Sequence, residues 1–279
     1  AGYWKGKWRK TMARIHASAV VERGAHLDDD VVVGANCFVN TGAVIGAGTV
    51  LEAGVIIEKG VTVGRGNHFF HHAVIGSPPQ VLALGENGGE GKLVIGDDNV
   101  FHEHVTVHPS MYPDRRTVIG NRNFIMIGAH IGHDCVLEDQ VVLSNFVQIS
   151  GHCRIETGAW LSGVVVSHQF VTVGKWSYAT GLAGLNKDVP PYMIVSGHYP
   201  PEIRGVNKRG MARAGLSEQQ QERIYEAYKR LYRHKGSLVA TAKAMCAEPD
   251  LDAHVREIAE SIVRSAEHRY GRYLEQFRH

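Results

Sequence analysis

An aliphatic residue recurs at every sixth position along most of the chain. The series runs Ile15, Val21, Leu27, Val33, Val39, Ile45, Leu51, Ile57, Val63, Phe69 and Ile75. It resumes with Ile95, Phe101 and Val107, and again from Ile119 to Leu185. Of these 26 anchors 22 are Ile, Leu or Val, so the period belongs to the core rather than to chance. A helix repeats its apolar face every 3.6 residues and a half-buried strand every two. A strict period of six instead requires short strands joined by tight turns, with three hexads closing a triangular coil. The fifth hexad position should also point inward; it holds Ala19, Ala25, Val31, Cys37, Ala43, Val55 and Cys135. Glycine follows the anchor at 34, 46, 64, 76, 96, 120, 132 and 174, which suggests corners whose dihedrals a side chain would forbid. The predicted fold class is β, a parallel β-helix of hexapeptide repeats. About nine coils at roughly 4.8 Å each make a prism on the order of 40 Å long.

Two insertions interrupt the count. Ile75 to Ile95 spans 20 residues and Val107 to Ile119 spans 12, which places inserted loops at 77–93 and 109–117. With the excess removed, Ile75, Val107, Ile131, Ile149 and Ser167 fall in one of three columns, so both loops leave the prism on one side. The histidines share that side. His108 follows its anchor by one residue, His133 by two, His152 by three and His168 by one, while His130 ends the hexad leading into the corner. One loop histidine is ordinarily a solvated turn residue; five on one edge point to proton chemistry near neutral pH. His16, His26 and the cluster His68, His71 and His72 show no such alignment.

Composition narrows the field. The 279 residues are 44% hydrophobic, enough for a large core and against general disorder. Thirty Lys and Arg against 28 Asp and Glu leave a net charge of +2, which argues against nucleic acid as a partner of the whole chain. No apolar run approaches the ~18 residues of a membrane helix, and the start does not read as a signal peptide, so a cytoplasmic protein without membrane insertion is expected. The four cysteines form no CxxC pair; three fit core positions and no metal site is expected from them.

The hexads resemble those of the hexapeptide-repeat acyltransferases, which implies a left-handed winding and a homotrimer. Ala129-His130-Ile131-Gly132-His133-Asp134-Cys135 resembles the signature of the acyl carrier protein-dependent UDP-N-acetylglucosamine O-acyltransferases, the first enzymes of lipid A synthesis. Ser150-Gly151-His152, Val166-Ser167-His168-Gln169-Phe170, Asp188-Val189-Pro190-Pro191-Tyr192 and Gly205-Val206-Asn207 resemble that family's blocks in its spacing. The resemblance implies transfer of a 3-hydroxyacyl group from acyl carrier protein to the 3-hydroxyl of the sugar nucleotide, with no cofactor beyond the thioester donor. His133 is then the general base, Asp134 its partner and the Gly151 N–H the oxyanion donor. Gln80, His108, His130, His152 and Gln169 match positions that contact sugar nucleotide or pantetheine, and Asn207 and Arg213 match nucleotide contacts. Gly181 matches the family's acyl-chain ruler; it is equally a plain hexad turn glycine.

Some positions depart from the family. Gln80-Val81-Leu82-Ala83-Leu84 lacks the acidic residue and the lysine of the family's first loop, Arg209 stands at a usually acidic position, and Ala214 replaces a common second arginine. A different acceptor is therefore a competing reading. A zinc enzyme resembling γ-class carbonic anhydrases is another, since three neutral imidazoles suit Zn²⁺; a catalytically silent scaffold is a third. Beyond residue 187 the period fails, and 188–279 is predicted to be a helical domain. Ser217 with Gln220 forms an expected capping box for a helix to about His234, with Ile224, Tyr228 and Leu231 on one face. Further helices are predicted from Ser237 to Cys246 and from Leu251 to Phe277. Ten Lys or Arg against three acids between Arg204 and Lys243 suggest either a docking surface for acyl carrier protein or a plain solvated face. Residues 1–14 form an N-terminal arm, of which 1–11 read as an expression remnant or a short extension before a possible natural start at Met12, with no function assigned.

Overall fold

The computed structural model describes residues 12–82 and 91–278; the arm up to residue 11, and Ala83 and Leu84 of the first loop, lie outside the described residues. Each hexad contributes a strand, most of two residues, and successive strands fall on three parallel faces in strict rotation. The second face carries Val74–Ile75, Thr106–Val107, His130–Ile131, Gln148–Ile149, Val166–Ser167 and Gly184–Leu185 in that order. Between the parallel strands the register does not slip: His130 pairs with Thr106 on one side and Gln148 on the other. The result is a parallel β-solenoid of about ten turns. From Val33 to Leu185 the anchors are at most 2% exposed, except Ser167 at 5%. All three cysteines at fifth positions are buried.

Corner chemistry differs from the expectation. Positive φ falls three residues after the anchor rather than one. Gly42 and Gly48 occupy that position, but so do Asn36, Asp98, Asp134, His152 and Phe170. Among the glycines directly after an anchor only Gly76 has positive φ. The others are needed because adjacent coils touch: a Cβ on Gly46 would lie 2.7 Å from the Gly64 carbonyl, and one on Gly132 would lie 2.7 Å from the Gly151 nitrogen.

The spans of both loops are shorter than predicted. Strands Lys92–Ile95 and Arg116–Ile119 begin inside them and pair with each other from Lys92↔Arg116. Past residue 187 the sheet also continues: Met193–Ser196 adds parallel to Tyr178–Ala179, and Glu202–Val206 adds antiparallel to it. Helices α1 (Lys208–Arg213), α2 (Glu218–Tyr232), α3 (Leu238–Cys246) and α4 (Ala253–Ala266) follow. The Ser217/Gln220 capping box is present, and Ile224, Tyr228 and Leu231 are buried as expected. The helix predicted to Phe277 stops at Ala266; Tyr270 and Gly271, both at φ 64°, turn the chain into two 3-10 segments that fold back on the solenoid.

Four of the ten cations of the basic stretch pair with acids from outside it. Arg204 pairs with Glu202, Arg223 with Asp252, Arg230 with Glu248 and Lys243 with Glu267.

A buried polar ladder runs up the corner between the third and first faces. Asn99 accepts from Asn123 N–H at 2.9 Å and donates to Gly120 C=O at 2.9 Å, while Asn67 and Thr49 repeat the pattern below. Replacing Asn99 with Leu orphans a buried N–H and should cost about 1–3 kcal/mol of stability. Denaturant unfolding checks this; an unchanged midpoint would show that the ladder contributes nothing.

Candidate active site

The corner after the second face gathers the histidines. Asp134 sits three residues past Ile131 with φ 60°, a left-handed conformation that Asp tolerates better than most residues. That twist turns its carboxylate back toward His133, whose Nδ1 lies 2.8 Å from Oδ2. A carboxylate only accepts, so Nδ1 carries the proton and Nε2 is bare. Ser110 Oγ donates to Oδ1 at 2.5 Å and Met111 N–H to Oδ2 at 3.2 Å. Thr117 Oγ1 accepts the Asp134 N–H at 2.8 Å. Burial alone would raise the Asp134 carboxyl, but the bonds from His133, Ser110 and Met111 outweigh it and hold the group below its ordinary value.

Gly151 lies one coil above, beside the His133 imidazole. A Cβ there would fall 2.6 Å from His133 Nε2, so only glycine lets the imidazole lie against this turn. One coil further up, Ser167 Oγ accepts the Ser150 N–H at 3.2 Å and Ser150 Oγ donates to the Ser167 carbonyl at 2.6 Å. These bonds explain a polar anchor in an apolar column: they fix the Ser150–Gly151 turn.

The remaining histidines surround His133. His152 meets His133 edge-on at 4.9 Å between centroids and stacks on Phe170 at 4.5 Å. His108 and His130 are 5.0 Å apart. His108 Nδ1 donates to the carbonyls of Ser77 and Pro78, which leaves its buried Nε2 without a partner among the described residues. That bare acceptor suits a ligand's O–H or N–H. His130 Nδ1 lies 2.9 Å from Thr106 Oγ1. The second loop folds over the group, with Tyr112 6.2 Å from His152 and Arg115 stacked on Tyr112.

Other expected residues lie elsewhere. Gln169 is half-buried on the same edge, and Gln80 is exposed in the first loop. Gly181 follows Ala179 on the corner between the first and second faces, where a Cβ meets nothing closer than 3.5 Å. Asn207 caps α1 and is tied to Trp176 C=O at 2.8 Å, so its amide serves the fold. Arg213 stacks on Trp160 and Trp176. Both belong to the corner between the third and first faces. The sequence reading missed Ser110, Thr117 and Ser167 as supports. Ser110 had a usable signal: it is the third residue after Val107, the register position of Asp134 one coil below.

His133, Asp134 and His152 hold ligand atoms within 4.8 Å of one another. The donor set fits a metal poorly. Asp134 already accepts from three protein donors, and the third group is that engaged carboxylate rather than the third imidazole of the zinc reading.

Two imidazoles are strongly displaced. His152 is pushed down to about 4, first by burial, then by His133, Arg115 and Arg278, against an opposing pull from Asp134. His130 is pushed down to about 4 by burial, with His108 and His133 adding to it. Both are neutral above about pH 5. An unfolded imidazole titrates near ~6.5, so their contribution to stability is full above that value and is lost as pH falls toward about 4. Histidine NMR titration should show both neutral at pH values where a free imidazole is charged; titration near ~6.5 would contradict the burial.

Comparison with known proteins agrees with this architecture. Residues 116–151 match the model described as bacterial transferase hexapeptide (six repeats), and residues 188–271 match UDP N-acetylglucosamine O-acyltransferase, domain 2. The acyl-[acyl-carrier-protein]--UDP-N-acetylglucosamine O-acyltransferase of Paraburkholderia phymatum is 38% identical over 259 residues, covering 91% of this chain and 98% of that protein. Its namesake from Synechocystis sp. is 35% identical over 214 residues, 77% of this chain and 70% of that protein. The crystal structure of Francisella novicida UDP-N-acetylglucosamine acyltransferase superposes with a TM-score of 0.84 at 33% identity, covering 89% of this chain and 90% of that one. With its hexad coils, its His-Asp corner and its helical tail, the chain belongs to the acyl-[acyl-carrier-protein]--UDP-N-acetylglucosamine O-acyltransferase family.

Proposed function

We propose that the His133 corner transfers a 3-hydroxyacyl group from the thioester of acyl carrier protein to the 3-hydroxyl of UDP-N-acetylglucosamine or a close relative, the opening step of lipid A synthesis. The observation that carries this reading is the Asp134-oriented His133, with its bare Nε2 against Gly151. His133 Nε2 takes the hydroxyl proton as the oxygen attacks the thioester carbonyl. The Gly151 N–H, which has no protein acceptor among the described residues, donates to the oxyanion. When the intermediate collapses, the C–S bond breaks and the imidazolium returns the proton to the thiolate. Asp134 stabilises the imidazolium between the two transfers. His108 Nε2, His130, His152 and Gln169 line the acceptor and donor positions, and no cofactor is needed. Val81 and the exposed Leu82 present no charge to the acceptor, so a sugar nucleotide other than UDP-N-acetylglucosamine is the second reading.

The assembly proposed is a homotrimer. Phe146, Val164 and Leu182 form an exposed apolar ridge, at 53%, 46% and 70%, along the corner that carries Gly181. Against the histidine edge of a second copy, that ridge would be covered, and Gly181 would reach the acyl chain that it cannot meet within its own chain. Closure of such a head-to-tail contact after three copies gives a ring. The nucleotide role of Asn207 and Arg213 rests on the same arrangement. Among the described residues no helix is long and apolar enough to cross a membrane, in keeping with soluble partners.

His133→Ala should lower kcat/KM by about 10² to 10⁴ with assembly intact; full activity in a coupled thiol-release assay would refute the base. Leu182→Arg should dissociate the assembly in sedimentation and lower turnover with it, whereas a fully active monomer would refute the shared site.

A further inference from the structure

We infer that the last coil and the folded-back tail form a phosphate-recognising pocket for the arm of the thioester donor, on the same edge as His133. This rests on the acyl-transfer reading and specifies how its donor is held. After Leu185, Asn186 and Lys187 occupy the register positions that Gly132 and His133 hold after Ile131. Three coils at roughly 4.8 Å put Lys187 about 14 Å from the base along the edge. Here a cavity of about 590 Å³ is lined by Lys187, Arg269, Arg272 and Arg278, against a single carboxylate, Glu275.

That carboxylate is already committed. It binds Arg272 at 3.0 Å and Arg278 at 2.6 Å, and Arg272 also donates to Asn186 C=O at 3.1 Å. The arginines are thereby fixed in place while positive charge remains in excess. Lys187 and Arg269 pair with no carboxylate among the described residues, in contrast to the compensated cations of α2 and α3. Clustered guanidinium and ammonium groups in a concave site suit a phosphate ester. The pocket also carries a second signal. Asn186 Oδ1 is buried without a hydrogen-bond partner among the described residues, an acceptor waiting for an N–H.

A phosphopantetheine arm offers both features, a phosphate ester at one end and amide N–H groups along its length. From phosphate oxygen to sulfur it runs twelve bonds, the covalent length of about four extended residues or ~13 Å. With the thioester between His133 and Gly151, its phosphate reaches Lys187. Arg278 lies over Phe170 at 4.5 Å, and Phe170 stacks on His152, so the pocket wall is continuous with the catalytic corner. A nucleotide diphosphate shares the anionic chemistry; the spacing and the amide acceptor favour the donor arm.

The test compares an acyl-phosphopantetheine donor with the same thioester lacking the phosphate. The unaltered protein should show a KM about tenfold lower for the phosphorylated donor, and Lys187→Ala/Arg269→Ala should erase that preference without changing the sugar nucleotide's KM. Arg269→Gln alone, at an exposed position, should weaken it if the double variant folds poorly. No preference in the unaltered protein, or one that survives the substitutions, overturns the pocket. So does a loss confined to the sugar nucleotide's KM, which assigns the cations to the nucleotide. If neither donor turns over, the acyl-transfer reading fails separately. Calorimetric binding of pantetheine phosphate then decides the pocket: affinity lost in the double variant supports it, equal affinity overturns it.

Discussion

The parallel hydrogen-bond ladder between coils is the constraint on which everything else depends. Each residue is bonded to its counterpart a coil away, and the buried anchors forbid a slip, because a one-residue shift would turn the apolar set outward. Residues distant in sequence are thereby placed one above another at a fixed step. Ser110, Asp134 and His152 share one corner position on three successive coils, as do His133 and Gly151 on two. No loop closure or domain motion is needed to bring His133, its orienting carboxylate and the Gly151 N–H together.

The same ladder limits the chemistry to what an edge can offer. A convex corner cannot surround a ligand, so the second loop, the C-terminal tail and, in the proposed trimer, a neighbouring chain supply the walls. This division of labour explains why the core is monotonous while the corner is not. The polar exception among the buried anchors, Ser167, is bonded to the Ser150–Gly151 turn, and the left-handed residues Asp134, His152 and Phe170 are held by hydrogen bonds and stacking where glycine serves elsewhere. Electrostatics follow from the same crowding. Burial keeps His130 and His152 neutral beside a His133 whose imidazolium only Asp134 is placed to stabilise.

Much of this was legible in the sequence, and the reasons are physical. Ile131, Ile149 and their fellows announce the solenoid because each coil must bury the same positions, and the histidine edge follows once the two insertions are removed. The glycines were read for the wrong reason: Gly46 and Gly132 answer to contact between coils, which no local dihedral rule reveals. The Asn67–Asn99–Asn123 ladder was hidden because a buried Asn looks like a turn Asn until its partner is known. Part of the charge of residues 204–243 is offset by Glu202, Glu248, Asp252 and Glu267, which arrive from outside that window and could not be counted within it. The tail broke earlier than its helical pattern suggested, since Asp188 recruits Ser265 and the Tyr273 N–H, a contact made across the fold. Asn207 belongs to a recognisable block, and its amide also caps α1 and holds Trp176, a structural task the block alone does not reveal.

The protonation of His133 tests the account most directly. Nitrogen-15 spectra of histidine-labelled protein above neutral pH should place the His133 proton on Nδ1, hydrogen-bonded to Asp134, and leave Nε2 bare; Asp134→Asn should weaken that pattern. A proton on Nε2, or a pattern indifferent to Asp134, would contradict the claim that this edge holds an oriented base.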